Sequence, residues 1–218
     1  MRGYLCIAAA MLLGIVHCAR GDVLDYSSDY NAITSPDTID AIGQTFTATQ
    51  LFLVDASLQL SKPFQFRPFW TDAHLELRSG FPNTLQDLNA NVLFRSDRID
   101  LDSLQQTGSV SFNASIPLYE LSLTSAGLDH LISLQPGATY TLDLVDFGTT
   151  GDIAYAEKNS AGDYPFGGEV SHLRGDNAND WRGPFNNTDL AFKVVMVPEP
   201  STLIIMLSPL LFVLKRTH

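Results

Sequence analysis

Leu190-Ala191-Phe192-Lys193-Val194-Val195-Met196 decides the fold class of this chain. Successive side chains of a strand point to opposite faces, so Leu190, Phe192, Val194 and Met196 share one face and Ala191, Lys193 and Val195 the other. One face is apolar enough for a core. Working outward, the same period of two recurs in Tyr140-Thr141-Leu142-Asp143-Leu144, in Ala56 to Leu60, in Leu75-Glu76-Leu77 and in Val110 to Ala114. Turn signals separate the runs: Gly80-Phe81-Pro82-Asn83, Gln106-Thr107-Gly108 and Pro136-Gly137. No long stretch carries a helical period, although Leu121 to Leu134 has room for one short helix. Short strands at regular spacing predict an all-β body, a single antiparallel β-sandwich of jelly-roll-like topology. Phe112, Tyr140, Leu142, Leu144, Leu190, Phe192 and Val194 are its expected core.

Beyond this last strand the composition changes abruptly. Val197-Pro198-Glu199-Pro200-Ser201-Thr202 is followed by an apolar run from Leu203 to Leu214 and then by Lys215 and Arg216. As a helix rising ~1.5 Å per residue, the run is short against a hydrocarbon core of ~30 Å, and Pro209 interrupts it. It suits a temporary membrane stop, with Lys215 snorkelling to the interface. In order and chemistry this end resembles the PEP-CTERM sorting tail of bacterial surface proteins. The resemblance implies processing by an exosortase-type enzyme, with Pro198, Glu199, Pro200, Lys215 and Arg216 as the sorting signal. At the other end Arg2 precedes an apolar run from Tyr4 to Val16. Ala19-Arg20-Gly21 then offers small residues to a signal peptidase, with cleavage expected after Gly21 or after Ala19. The expected organisation is a signal peptide over residues 1–21, a body over 22–196 and a sorting tail over 197–218 that contains the membrane segment 203–214. With Lys215 and Arg216 held on the cytoplasmic side, the body faces outward.

Both cysteines, Cys6 and Cys18, lie in the leader, so the body has to be held by packing rather than disulfides. All 24 Asp and Glu fall within 22–199 against nine Lys and Arg, a net charge of −15 for that span. Such a surface argues against nucleic acid and anionic lipid as partners. It is compatible with divalent cations and with simple solubility outside the cell. Within the body, Gly43-Gln44-Thr45-Phe46-Thr47-Ala48, Leu134-Gln135-Pro136-Gly137-Ala138-Thr139-Tyr140 and Asp189-Leu190-Ala191-Phe192 resemble the strand-and-turn signatures of β-sandwich modules found upstream of PEP-CTERM tails. Such modules are similar in architecture to carbohydrate-binding sandwiches.

Gly148 to Gly183 breaks the strand rhythm. It holds seven of the 15 glycines together with Tyr155, Tyr164, Phe166 and Trp181 and the polar run Asp176-Asn177-Ala178-Asn179-Asp180. Long loops in compact domains often carry function. Tyr164, Phe166 and Trp181 could offer flat faces to a sugar, with Asn177 and Asn179 binding its hydroxyls. The competing reading is a satellite core that covers the sandwich edge. Asp176 and Asp180 are the candidate calcium ligands, but Ala178 stands where an EF-hand loop needs an oxygen ligand and no Glu closes the loop, so a solvated polar turn is the preferred reading and no cofactor is expected.

Catalytic patterns are sparse. His74, His130 and His172 form no zinc-helix motif and read as surface or half-buried residues, and no cysteine or Gly-x-Ser-x-Gly nucleophile is present. Acid pairs such as Asp100 with Asp102, or Asp143 with Asp146, have the chemistry for glycoside hydrolysis. On an acidic strand protein they are expected on solvated faces, Asp143 included. The expectation is therefore a non-catalytic exported protein of the cell surface or matrix, engaging polysaccharide. The alternatives are a structural coat component without specific ligand and a secreted polysaccharide hydrolase.

Overall fold

The computed structural model describes residues 21–26, 32–34, 39–61, 73–81, 91–111, 115–145, 154–159, 164, 167–173, 181–185 and 188–199. They form strands β1 (Asp22–Asp25), β2 (Ala32–Thr34), β3 (Ile39–Thr47), β4 (Phe52–Ser61), β5 (His74–Ser79), β6 (Val92–Arg95), β7 (Gln106–Ser111) and β8 (Ser115–Ser122). The series continues with β9 (Ile132–Ser133), β10 (Thr139–Val145), β11 (Ala154–Asn159), β12 (Glu169–Leu173), β13 (Trp181–Phe185), β14 (Thr188–Leu190) and β15 (Phe192–Val197). The fold is all-β, with two antiparallel sheets.

One sheet has the order β13-β12-β3-β10-β5-β6. The other is organised around β4, the longest strand. Along one side β4 pairs with β15 and, past Leu58, with β11; along the other it pairs with β9 and β8. β1 lies outside β15, β7 outside β8, and β2 and β14 flank β11. Asp22 of the first strand faces Met196 of the last, so the two ends of the body lie side by side.

Apolar faces of both sheets meet in one core. Ile42, Phe46, Leu75, Leu77, Tyr140, Leu142 and Leu144 come from the six-stranded sheet, and Leu53, Leu58, Leu60, Leu121, Leu190, Phe192, Val194 and Met196 from the other. Every expected core residue among those described is buried; Phe112 lies outside the described residues. A fully buried Leu or Phe contributes roughly 1.5–3 kcal/mol over its exposed state, which a body without disulfides depends on.

Four local expectations change. Leu121 to Leu134 is no helix: it is the end of β8, a turn over 123–127 and the short β9. Thr124, Ser125 and Gly127 favour that turn, and the Ser125 hydroxyl and amide both bond back to Ser122. Gln106-Thr107-Gly108 is not a turn between strands but an irregularity inside β7, where the register against β8 shifts. Leu190 to Met196 is not one strand. It divides at Ala191, because β14 pairs with β11 whereas β15 pairs with β1 and β4. Finally, Gly148 to Gly183 is not a single irregular loop, since β11, β12 and the start of β13 fall inside it.

Candidate functional site

The three body signatures converge on a pair of structural locks. Gln44 of β3 donates from Nε2 to Asp189 Oδ1 at 3.0 Å, and its Oε1 accepts from the Leu190 amide at 2.8 Å. Gln44 is fully buried and Asp189 nearly so. Since β3 and β14 belong to different sheets, this amide joins the sheets through polar contacts in an otherwise apolar core. A buried side chain with every polar atom satisfied adds specificity where an unsatisfied one would cost stability. It also accounts for the break at Ala191: the Leu190 amide donates to the Gln44 side chain rather than to a neighbouring strand. The second lock is the Pro136-Gly137 turn. Gly137 takes φ +83, where only glycine is comfortable, and Ala138 N bonds to Gln135 O at 3.0 Å. The Tyr140 hydroxyl accepts from Gln135 N at 2.7 Å, and Ala48 pairs with both Gly137 and Ala138.

Tyr164 is not an exposed stacking face. It is buried, packs edge-on against Tyr26 and Phe192 at 5.3 Å, and its hydroxyl accepts from Thr47 N at 2.9 Å. Burial raises its phenol above the ordinary range, partly offset by that bond. The satellite-core reading therefore holds for this residue: a ring between Tyr26 and Phe192 gains more from apolar contact than from water. At Gly168 a Cβ would lie 2.6 Å from Phe185 O, so glycine there serves the close approach of β12 and β13. Trp181 opens β13, one of the two edge strands of its sheet among the described residues, where Phe185 is 39% exposed. Phe166, Asp176, Asn177, Asn179 and Asp180 lie outside the described residues, as do Ala19, Pro200, Lys215 and Arg216. Among the described residues, no group of three or more His, Cys, Asp or Glu could hold a metal ion, and no helix is long and apolar enough to cross a membrane. Gly21 lies beside β15, while Pro198 is half-buried and Glu199 exposed directly after it.

The acid pairs divide. Asp100 is exposed, Asp102 sits in a short 3-10 turn, and Asp146 lies outside the described residues. His74 is half-buried with Nδ1 2.9 Å from Ser96 O, and the exposed His130 has Nδ1 2.9 Å from Asp129 Oδ1.

Asp143 overturns its expectation. It does point away from the core between the sheets, yet it is fully buried. That side of the six-stranded sheet holds a second, partly polar layer. The register sets Asp143 opposite Glu76, Glu76 opposite Arg95, and Gly43 on the other flank of Asp143. Thr45, Arg78 and Thr141 form the adjoining row and are likewise buried, and Ala41, Val145 and Val170 make a small apolar cluster beside them. Arg78 bridges the two carboxylates: its Nε donates to Asp143 Oδ2 at 2.8 Å and its Nη2 pairs with Glu76 Oε2. Arg95, half out in solvent, brings Nε within 2.7 Å of Glu76 Oε1. Among the described residues, Asp143 Oδ1 has no hydrogen-bond partner. Burial pushes the Asp143 carboxyl up to about 7; Arg78 opposes the rise and Glu76 adds to it.

Glu76 and Arg78 were not singled out in the sequence. The available signal was charge at alternate positions of a strand, Glu76 and Arg78, beside a second strand carrying Asp143. Comparison with models of known protein families and with curated proteins returned no match.

Proposed function

We propose that this chain is an exported protein of the cell surface or matrix, delivered through a PEP-CTERM-like tail, and that its body is a non-catalytic β-sandwich engaging extracellular polysaccharide. The observation that carries the delivery reading is the position of the last strand. β15 ends at Val197, one residue past the expected end of the body, and Pro198-Glu199-Pro200 begins at once. A processing enzyme would meet the motif beside a closed strand pair, because β1 and β15 run antiparallel from Asp22 and Met196. Chain connectivity supports a jelly-roll-like sandwich: β3 to β4, β4 to β5, β10 to β11 and β11 to β12 each pass from one sheet to the other.

The non-catalytic reading draws support from the buried acids. Glu76 and Asp143 have the chemistry of an acid pair, but neither is accessible to a polymer chain. Polysaccharide engagement is assigned to the β13 edge, with Trp181 and the exposed Phe185 as its stacking surfaces and Phe166, Asn177 and Asn179 nearby in sequence.

Replacing Pro198-Glu199-Pro200 by three alanines should leave unprocessed protein in the membrane fraction. A surface form that still ends where the wild type does would overturn the delivery reading. Retention on immobilised polysaccharide should fall with Trp181→Ala while folding is kept, and equal retention would leave the structural-coat alternative standing.

A further inference from the structure

We propose that Glu76, Arg78 and Asp143 form a proton-controlled latch on the outward side of the six-stranded sheet, closed when Asp143 carries a proton on Oδ1 and loosened when that proton leaves to solvent. The proposal does not depend on where the protein is delivered or on what it binds.

Three geometric facts support it. First, two carboxylates stand directly opposite each other on β5 and β10 and share one buried guanidinium. With both ionised, this buried trio by itself has a net negative charge, which the half-exposed and solvent-screened Arg95 on Glu76 offsets only in part; with Asp143 neutral, the trio is balanced. Second, the oxygens of Asp143 are unequal: Oδ2 accepts from Arg78, whereas Oδ1 has no donor among the described residues. The proton therefore belongs on Oδ1, where an anionic oxygen would be both buried and unsolvated. Third, among the described residues little stands ready to stabilise that anion. From β3 the facing position is Gly43, with Ala41 and Thr45 beside it; β12 contributes Val170 beyond Gly43; Thr141 and Val145 are the nearest outward residues of β10 itself. From β5 come Glu76, Arg78 and, at the end of the same face, His74, whose Nδ1 is engaged at Ser96 O. From β6 comes Arg95, which is directed at Glu76 rather than at Asp143 and is 39% exposed in its side chain.

The direction of the pH effect follows. In the unfolded chain Asp143 titrates near ~3.9, and in the fold burial raises it to about 7. A carboxyl raised by folding binds its proton more tightly in the native state. Its stabilising contribution is complete below the unfolded value and is lost as pH rises through the folded one. The latch is closed in acid and loosens toward neutrality.

The test compares full-length wild type with Asp143→Asn, whose amide can take the place of the Oδ1–H donor while its carbonyl oxygen accepts from Arg78. Between pH 5 and pH 8 the folded-to-unfolded ratio of wild type, relative to the variant, should fall by about tenfold or more. A ratio constant across that range overturns the latch. Should the variant fail to fold, infrared spectroscopy of wild type decides. At pH 6, where ordinary Asp and Glu are ionised, a protonated-carboxyl band should remain and should vanish by pH 8.5. Its absence at pH 6, or its persistence in a folded Asp143→Asn protein, overturns the proposal.

Discussion

Strands β10 and β15 are built on the same pattern and come to different ends. Each places apolar residues at alternate positions: Tyr140, Leu142 and Leu144 in one, Phe192, Val194 and Met196 in the other, all buried between the sheets. Off that face they diverge. In β15, Lys193, Val195 and Val197 are half-exposed, and Lys193 reaches Asp25 only at 3.8 Å. In β10, Thr141, Asp143 and Val145 are as buried as the core itself. A period of two says which side chains share a face. It does not say whether the second face is wet, because that depends on what the rest of the chain lays over it.

Consequences for stability differ accordingly, and an effect as large as a core truncation is expected on the second face of the six-stranded sheet. Arg78→Ala would leave Glu76 and Asp143 buried without their shared cation, a loss of about 3–5 kcal/mol. That equals the expected cost of about 3–5 kcal/mol for Phe192→Ala in the core. Equilibrium denaturation measures both, and a cost for Arg78→Ala below ~1 kcal/mol, the level of an exposed pair, would dissolve the contrast between the two strands.

An intermediate effect is expected where the sheets are joined. Gln44→Leu keeps the volume but removes one donor to Asp189 Oδ1 and leaves the buried Leu190 amide without its acceptor, at about 1–3 kcal/mol for a buried group left unpaired. Asp189→Asn together with Gln44→Leu should not recover the loss, since the Leu190 amide still lacks an acceptor. Full recovery by the double variant, read from denaturant midpoints, would mean that the charge of Asp189 rather than the joint is what Gln44 serves.

The smallest effect sharpens the comparison from the β15 side. Lys193→Ala should alter stability by no more than about 0.5 kcal/mol, because its ion pair with Asp25 is exposed and screened. A change near 2 kcal/mol would show that the outward face of β15 is structurally loaded as well.

Sequence alone determined the all-β class, the antiparallel pairing of short strands and the identity of the core face. Leu142, Leu144, Phe192 and Val194 show this: alternation is a local property, and burial of the apolar side follows wherever the strand is placed. The Pro136-Gly137 turn was legible for the same reason, since a proline followed by a glycine with positive φ encodes its own geometry. What tertiary structure decided concerns partners distant in the chain. Gln44 and Asp189 are 145 residues apart, and nothing local to either marks them as bonded. Tyr164 sits among glycines and polar residues that suggest exposure, yet Tyr26 and Phe192 close around its ring. Asp143 is the clearest case. On the strand it is a charged residue on the side opposite the core, and only the assembled sheet sets it beside Glu76 and under Arg78, where water is excluded and its proton is held toward neutral pH. Periodicity is carried by the backbone; solvation of a face is decided by every segment that packs on it.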